Sequence, residues 1–156
     1  MAIKKKFPYR SAFVACNGNY HSTRICPNCC FGCGTCASVC KFGAIELNAN
    51  GVAVVDEEKC IACGQCVNAC PQKVIHIHDC ANRIVIRCSN TQKGADARKT
   101  CEVSCIGCGK CERICTASAV RIKDNCAVMD EASCLSCGMC VGACPRSVIA
   151  DTKGIY

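Results

Sequence analysis

Sixteen of the 23 cysteines in this 156-residue chain fall into four copies of one spacing, C-x2-C-x2-C-x3-C. The copies are Cys30, Cys33, Cys36 and Cys40; Cys60, Cys63, Cys66 and Cys70; Cys105, Cys108, Cys111 and Cys115; and Cys134, Cys137, Cys140 and Cys144. Thiolates are soft ligands that select iron-sulfur clusters or zinc over oxygen-seeking metals. Three cysteines at intervals of three let a tightly looped backbone present sulfur to three corners of a cubane. The fourth is displaced onto the next helical turn and points to a neighbouring cluster. A four-cysteine zinc knuckle instead pairs two C-x2-C units across a longer gap, so the spacing favours four [4Fe-4S] clusters. Gly32, Gly34, Gly64, Gly107, Gly109 and Gly138 suit a backbone that must approach sulfide closely in unusual dihedrals.

The crossed rule for the fourth cysteine gives the expected ligand sets. Cys30, Cys33 and Cys36 join Cys70, while Cys60, Cys63 and Cys66 join Cys40. In the second half, Cys105, Cys108 and Cys111 join Cys144, and Cys134, Cys137 and Cys140 join Cys115. Pro71 and Pro145 follow the fourth cysteine, whereas Lys41 and Thr116 stand there in the other two motifs. That difference predicts unequal reduction potentials within a pair. Seven cysteines remain, Cys16, Cys26, Cys29, Cys80, Cys88, Cys101 and Cys126. Cys126 reads as a small buried residue in a strand. The pairs Cys16 with Cys26 and Cys88 with Cys101 recur between the halves, so they are candidates for a fifth cluster shared by both, for a structural role, or for a place near a partner's cofactor. Cys29, beside Cys30, is a competing ligand.

The elements that carry these ligands repeat. Residues 12–77 and 84–149 share the order of AFVAC or IVIRC, one cysteine, then two quartets, at offsets of 75 and then 74. Between the quartets, AIELNANGVAVVDEEKC and AVRIKDNCAVMDEASC alternate around tight polar turns and predict β-hairpins. QCVNACP and MCVGACP predict short helical turns ended by proline. VIHIHDCANRIVIRC predicts two strands around a polar turn at Asp79–Asn82, with His76 and His78 on one exposed face, and SNTQKGADARK at 89–99 predicts a surface loop. The fold expectation is α+β: tandem bacterial-type dicluster ferredoxin modules at 1–78 and 79–156, with short hairpins and helices around the clusters.

Composition narrows the rest. With no Trp, four Phe and three Tyr, the chain has little aromatic bulk for an ordinary core. The basic N-terminus MAIKKKFPYR has no apolar run behind it, and an odd cysteine count at close spacing argues against disulfides. A reducing cytoplasm is expected, with Lys4, Lys5 and Lys6 as a solvated terminus. No apolar run nears the ~20 residues of a membrane span. The formal charge of +7 suggests nucleic acid at first sight. Four clusters with their thiolates carry about −2 each, which brings the total to about −1, so no nucleic-acid partner is expected. His21, His76 and His78 are few and scattered, and no catalytic triad, dinucleotide fingerprint or P-loop is present.

The run from GCGTCASVC through GVAVVDEEKCIACGQCVNACP to RIVIRCSNTQKGADARKTCEVSCIGCGKCERICTASAVRI and NCAVMDEASCLSCGMCVGACP resembles the polyferredoxin region of the B subunit of Rnf-type ferredoxin:NAD oxidoreductases. The resemblance extends to Cys26, Cys88, Cys101 and the KGAD segment at 93–96. It implies electron exchange with a soluble ferredoxin and with a flavoprotein or other iron-sulfur subunit. Against that pattern, neither a membrane-anchoring helix nor a preceding cluster domain is expected here, and Cys33 completes the first quartet. The expectation is therefore a non-catalytic electron-transfer subunit of a soluble, low-potential complex. A free polyferredoxin shuttle is the alternative, and a purely structural zinc protein the third. A shuttle would favour an acidic surface, whereas this chain has 19 basic and 12 acidic residues.

Overall fold

The computed structural model describes residues 10–16, 18 and 26–154. Lys4, Lys5, Lys6 and His21 lie outside the described residues. The first half runs β1 (Arg10–Val14), α1 (Thr35–Val39), β2 (Ile45–Leu47), β3 (Ala53–Val55), α2 (Gln65–Ala69) and β4 (Ile75–Asp79). The second runs β5 (Ile84–Ile86), α3 (Gly94–Thr100), α4 (Lys110–Ile114), β6 (Val120–Lys123), β7 (Cys126–Met129), α5 (Met139–Ala143) and β8 (Ile149–Asp151). Mixed short strands and helices of this kind are the expected α+β ferredoxin-like fold.

Each half has two antiparallel pairs. In the first, β2 pairs β3, and β1 pairs β4 with Arg10 opposite Asp79 and Val14 opposite Ile75. In the second, β6 pairs β7, and β5 pairs β8 with Ile84 opposite Asp151. The hairpins close as their turn residues require. The Asn48 carboxamide oxygen accepts from the backbone N–H of Asn50 and Val52. Asp124 and Asn125 both take positive φ, as a two-residue hairpin turn demands.

Two local expectations need correction. Strands flank Asp79–Asn82 as predicted, but they do not pair with each other. β4 pairs with β1 and β5 with β8, because each buries its apolar residues in the core of its own half. The 89–99 segment is not a plain surface loop. It forms α3, with Asp96 in the first turn and Arg98 and Lys99 in the last, which complements the helix dipole. Asn90 and Ala97 are buried at 1% and 0% exposure. Gly94 fits there because a Cβ would come within 2.6 Å of the Ile106 carbonyl oxygen.

The four motif backbones follow one path. Gly32, Ala62, Gly107 and Ser136, each just before the second cysteine, all have positive φ. So do Gly34, Gly64, Gly109 and Gly138, which cap the short helices, and Gly43, Lys73, Ser118 and Ser147, three residues after the fourth cysteine. Ala62 and Ser136 show that the left-handed turn before the second cysteine tolerates a side chain. Glycine is required at 32 and 107 for a different reason. A Cβ on Gly32 would come within 2.4 Å of the Gly51 carbonyl oxygen, and one on Gly107 within 2.9 Å of that of Asn125. The hairpin turn lies directly over the loop in both halves.

The apolar cores are built from small residues and sulfur. Ala12, Ala44, Val52, Ala53, Val74 and Ile75 are buried with Cys36, Cys60, Cys66 and Cys70 in the first. The second core matches it, with Ile84, Val120, Val148 and Ile149 around Cys105, Cys111 and Cys140. So little apolar bulk leaves stability dependent on whatever the thiols bind.

The Gly32 contact gives a test. Gly32→Ala forces the hairpin turn away from the cysteine loop and should cost on the order of 2–3 kcal/mol. Gly34→Ala, where a Cβ would meet nothing within 4 Å, should cost only the left-handed penalty of about 1 kcal/mol. Anaerobic thermal unfolding followed by visible absorbance should rank them in that order.

Candidate iron-sulfur sites

The four cysteine quartets are brought to four cavities. Cys30, Cys33, Cys36 and Cys70 line one. Cys40, Cys60, Cys63 and Cys66 line a second. Cys105, Cys108, Cys111 and Cys144 line a third, and Cys115, Cys134, Cys137 and Cys140 a fourth. Each cavity thus takes three thiols from one motif and one from the other motif of the same half.

Local structure explains this division. The first two cysteines sit on the glycine-bearing loop, and the third is the second residue of the short helix, facing inward. The helix ends at the fourth, which has extended backbone at Cys40, Cys70, Cys115 and Cys144. That change of direction turns the fourth thiol toward the other motif. The second cysteine is exposed in all four motifs, at Cys33, Cys63, Cys108 and Cys137, while the third is buried in all four. Every cavity therefore has one edge near solvent.

Backbone N–H groups are aimed at the sulfurs. Ala12 and Ala62 donate to Cys60 Sγ at 3.3 and 3.4 Å, and Ala53 to Cys30 Sγ at 3.5 Å. Gly107 and Ala127 donate to Cys105 Sγ at 3.5 and 3.4 Å, and Ser136 to Cys134 Sγ at 3.4 Å. Ala44 and Ala119 donate to the fourth cysteines, Cys40 and Cys115, at 3.4 and 3.3 Å. Such bonds stabilise charge on sulfur. Burial acts the other way on the third cysteines. It pushes Cys66, Cys111 and Cys140 up to about 11 and raises Cys36 in the same direction. Those thiols hold their protons at neutral pH until a metal displaces them. Cys33 is lowered, chiefly because its thiol and the Thr35 hydroxyl lie 3.3 Å apart in a hydrogen bond.

Four thiols, apolar walls, inward N–H donors and a loop too close for a Cβ at 32 and 107 all fit a [4Fe-4S] cubane. Two family models, each described as a 4Fe-4S dicluster domain, match residues 28–74 and 104–149, more than half of the chain together. The chain belongs to the family of proteins built from 4Fe-4S dicluster domains.

Its relatives are more particular. It is 38% identical over 121 residues to the B subunit of the Na(+)-translocating ferredoxin:NAD(+) oxidoreductase complex of Acetobacterium woodii, covering 78% of this chain and 35% of that one. It is 36% identical over 130 residues to the B subunit of the proton-translocating ferredoxin:NAD(+) oxidoreductase complex of Clostridium ljungdahlii, covering 82% and 46%. It is 35% identical over 122 residues to the B subunit of the ion-translocating oxidoreductase complex of Methanosarcina acetivorans, covering 64% and 45%. The chain is homologous to these B subunits and spans between a third and a half of their length. Among the described residues, no helix is long and apolar enough to cross a membrane.

The cysteines outside the quartets also cluster. A Cβ placed on Gly18 would lie 3.6 Å from Cys101 Sγ and 3.7 Å from Cys16 Sγ. Cys26 is pushed up to about 12 by burial, and then by charge at Cys29, Cys88 and Cys101. Cys29 is raised by burial and by charge at Cys16. Cys16, Cys26, Cys29, Cys88 and Cys101 therefore form one sulfur-rich group where the halves meet. Ser89 Oγ donates to the Ala15 carbonyl there at 2.9 Å, and Asn28 Nδ2 to Thr91 Oγ1 at 3.1 Å.

Cys126 is buried in β7 as expected, yet it is more than filler. Its thiol donates to the Cys88 carbonyl oxygen at 3.5 Å and lies beside the Cys88 and Cys105 sulfurs, which lowers both of those cysteines and raises Cys126 itself. The repeat offset of 74 puts Val52 at the equivalent place, so the first half has no such donor. The histidines depart from expectation. His76 is exposed, but His78 is 2% exposed. The Phe13 ring lies against both, at 5.7 and 5.2 Å, but His78 also meets Glu57, 3.5 Å away.

Two tests follow from these sulfur environments. Protons compete with iron for thiols raised by burial, so visible absorbance of the holoprotein under a fixed chelator should fall faster at pH 6 than at pH 8. Cys126→Val removes the thiol beside Cys88 and Cys105 without removing volume from β7. Potentiometric titration should show one reduction potential shifted downward, with iron content unchanged.

Proposed function

We propose that this chain is the electron-transfer subunit of a ferredoxin- and flavin-linked oxidoreductase assembly, holding four [4Fe-4S] clusters through the crossed cysteine sets. The observation that supports it best is the joining of three thiols from one motif with the fourth of its partner at each of four cavities. A bound [4Fe-4S] cluster supplies reversible one-electron storage. The protein's part is to hold the thiolates, exclude water with the aliphatic walls, and aim N–H dipoles at sulfur. The halves at 1–78 and 79–156 are read as two dicluster modules. Sheet pairing within 10–79 and within 84–151 supports that division.

A fifth cluster on Cys16, Cys26, Cys88 and Cys101 would bridge the modules. Its support is the convergence of these thiols across the pseudo-repeat, with Cys29 as the competing ligand. The names of the relatives supply the ferredoxin link and the complex. Location in the cytoplasm is inferred from thiols that must stay reduced. Chemistry on an organic substrate falls to the partners of this chain.

Assembly into a complex is favoured over a diffusing shuttle by the exposed apolar rim of the fourth cavity. Leu135 is 72% exposed and Met139 48%, on either side of exposed Cys137. Ile61, at the matching place beside Cys63, is 39% exposed. A permanent subunit contact would cover such a rim.

Anaerobic purification with bound partners, followed by iron and sulfide analysis, tests the reading. About sixteen iron atoms per chain with an attached flavoprotein is the expected result, and about twenty adds the bridging cluster. Sixteen on a lone monomer favours the shuttle, and zinc without labile sulfide overturns the redox reading.

A further inference from the structure

We propose that Glu57, His78 and Cys80 form a mononuclear binding site for a borderline divalent metal, of which zinc(II) is the type, separate from the cluster cavities. One ligand atom from each of these three residues lies within 4.8 Å of the others. They come from three places: the loop after β3, the end of β4, and the connector between the halves. His78 Nε2 and Glu57 Oε1 are 3.5 Å apart. Ligands bound at about 2.0–2.1 Å to a tetrahedral ion stand roughly 3.3 Å from each other, so this spacing matches one edge of such a site.

The second observation is the state of His78. Its side chain is 1% exposed, and among the described residues neither ring nitrogen has a hydrogen-bond partner. A buried imidazole with both nitrogens unsatisfied is costly and rare. Phe13 closes one side of the ring, and Ser11 faces it across the β1–β4 pair. The open side faces Glu57 and Cys80. Cys80 is 8% exposed. Nitrogen, oxygen and a single sulfur make a donor set that suits zinc(II) and does not suit a cubane, whose thiolates must spread around four iron atoms.

Access and surroundings are consistent with an ion. Glu57 lines a cleft of about 480 Å³ with Arg87, Thr152 and Lys153 from the second half, which gives a route in from solvent. Glu57 Oε2 accepts from Lys153 Nζ at 3.0 Å, which leaves Oε1 toward His78. That bond would also orient the carboxylate. With three protein ligands, the fourth position is left for water. The ion would fasten the connector and β4 to the first hairpin, at a point the second half also grips.

The test uses the anaerobically purified holoprotein from cells supplied with both iron and zinc. Metal analysis should give about one zinc per chain in addition to the iron. Zinc-edge X-ray absorption should show one sulfur and two or three nitrogen or oxygen neighbours. Glu57→Gln and Cys80→Ser should each lower zinc content at least about tenfold with iron and sulfide unchanged. A zinc content below a tenth per chain, a four-sulfur spectrum (zinc lodged in the cluster cysteines), or zinc kept by both variants would overturn the proposal. The wild-type spectrum decides even where a variant fails to fold.

Discussion

Each cavity takes a thiol from the other motif of its half, and the rest of the fold is arranged to deliver it. The short helices end at the fourth cysteine, and the backbone becomes extended there. The turn of chain that follows always includes a positive φ three residues on, at Gly43, Lys73, Ser118 and Ser147. It feeds directly into β2, β4, β6 or β8. Strand, turn and helix are therefore placed by one requirement, that two sulfur-bearing loops face each other. The small aliphatic core cannot impose this alone, since its largest fully buried residues in the first half are Val74 and His78.

The repeat shows which features are required by geometry and which tune. Left-handed backbone before the second cysteine is common to all four motifs, but glycine is needed only at 32 and 107, beneath the hairpin turns. Differences between equivalent positions are where the halves diverge chemically. Cys126 against Val52 puts a thiol beside Cys105 where Cys30 has an aliphatic neighbour. Thr35 gives Cys33 a hydroxyl partner, whereas Gln65, Lys110 and Met139 occupy the matching places in the other motifs. Small polar changes beside sulfur are of the kind that shifts the potential of a cluster held there.

The junction between the halves is chemically dense. The sulfur group of Cys16, Cys26, Cys29, Cys88 and Cys101 lies there, and the connector brings Cys80 to Glu57 and His78. Lys153 to Glu57 at 3.0 Å and Glu131 accepting from the Asp79 N–H at 3.2 Å add polar links. The two halves are joined by specific bonds, with no Gly/Ser linker between β4 and β5.

Local chemistry was legible in the chain alone. Intervals of three and four between cysteines, glycine at left-handed positions, Asn and Asp in tight turns and proline after a helix all act within a few residues. They specified the loops, the hairpins and the ferredoxin-like class. The helix at 94–100 carries its own signal in an acidic first turn and a basic last turn, but the polar composition of 89–99 masked it. Long-range packing was needed to pair β4 with β1 across more than sixty residues, and β5 with β8. It also buried His78 and brought Cys126 to Cys88 and Cys105. Those outcomes depend on which apolar faces meet at a distance along the chain. A single alternating strand reads the same whether one end is covered or open to water.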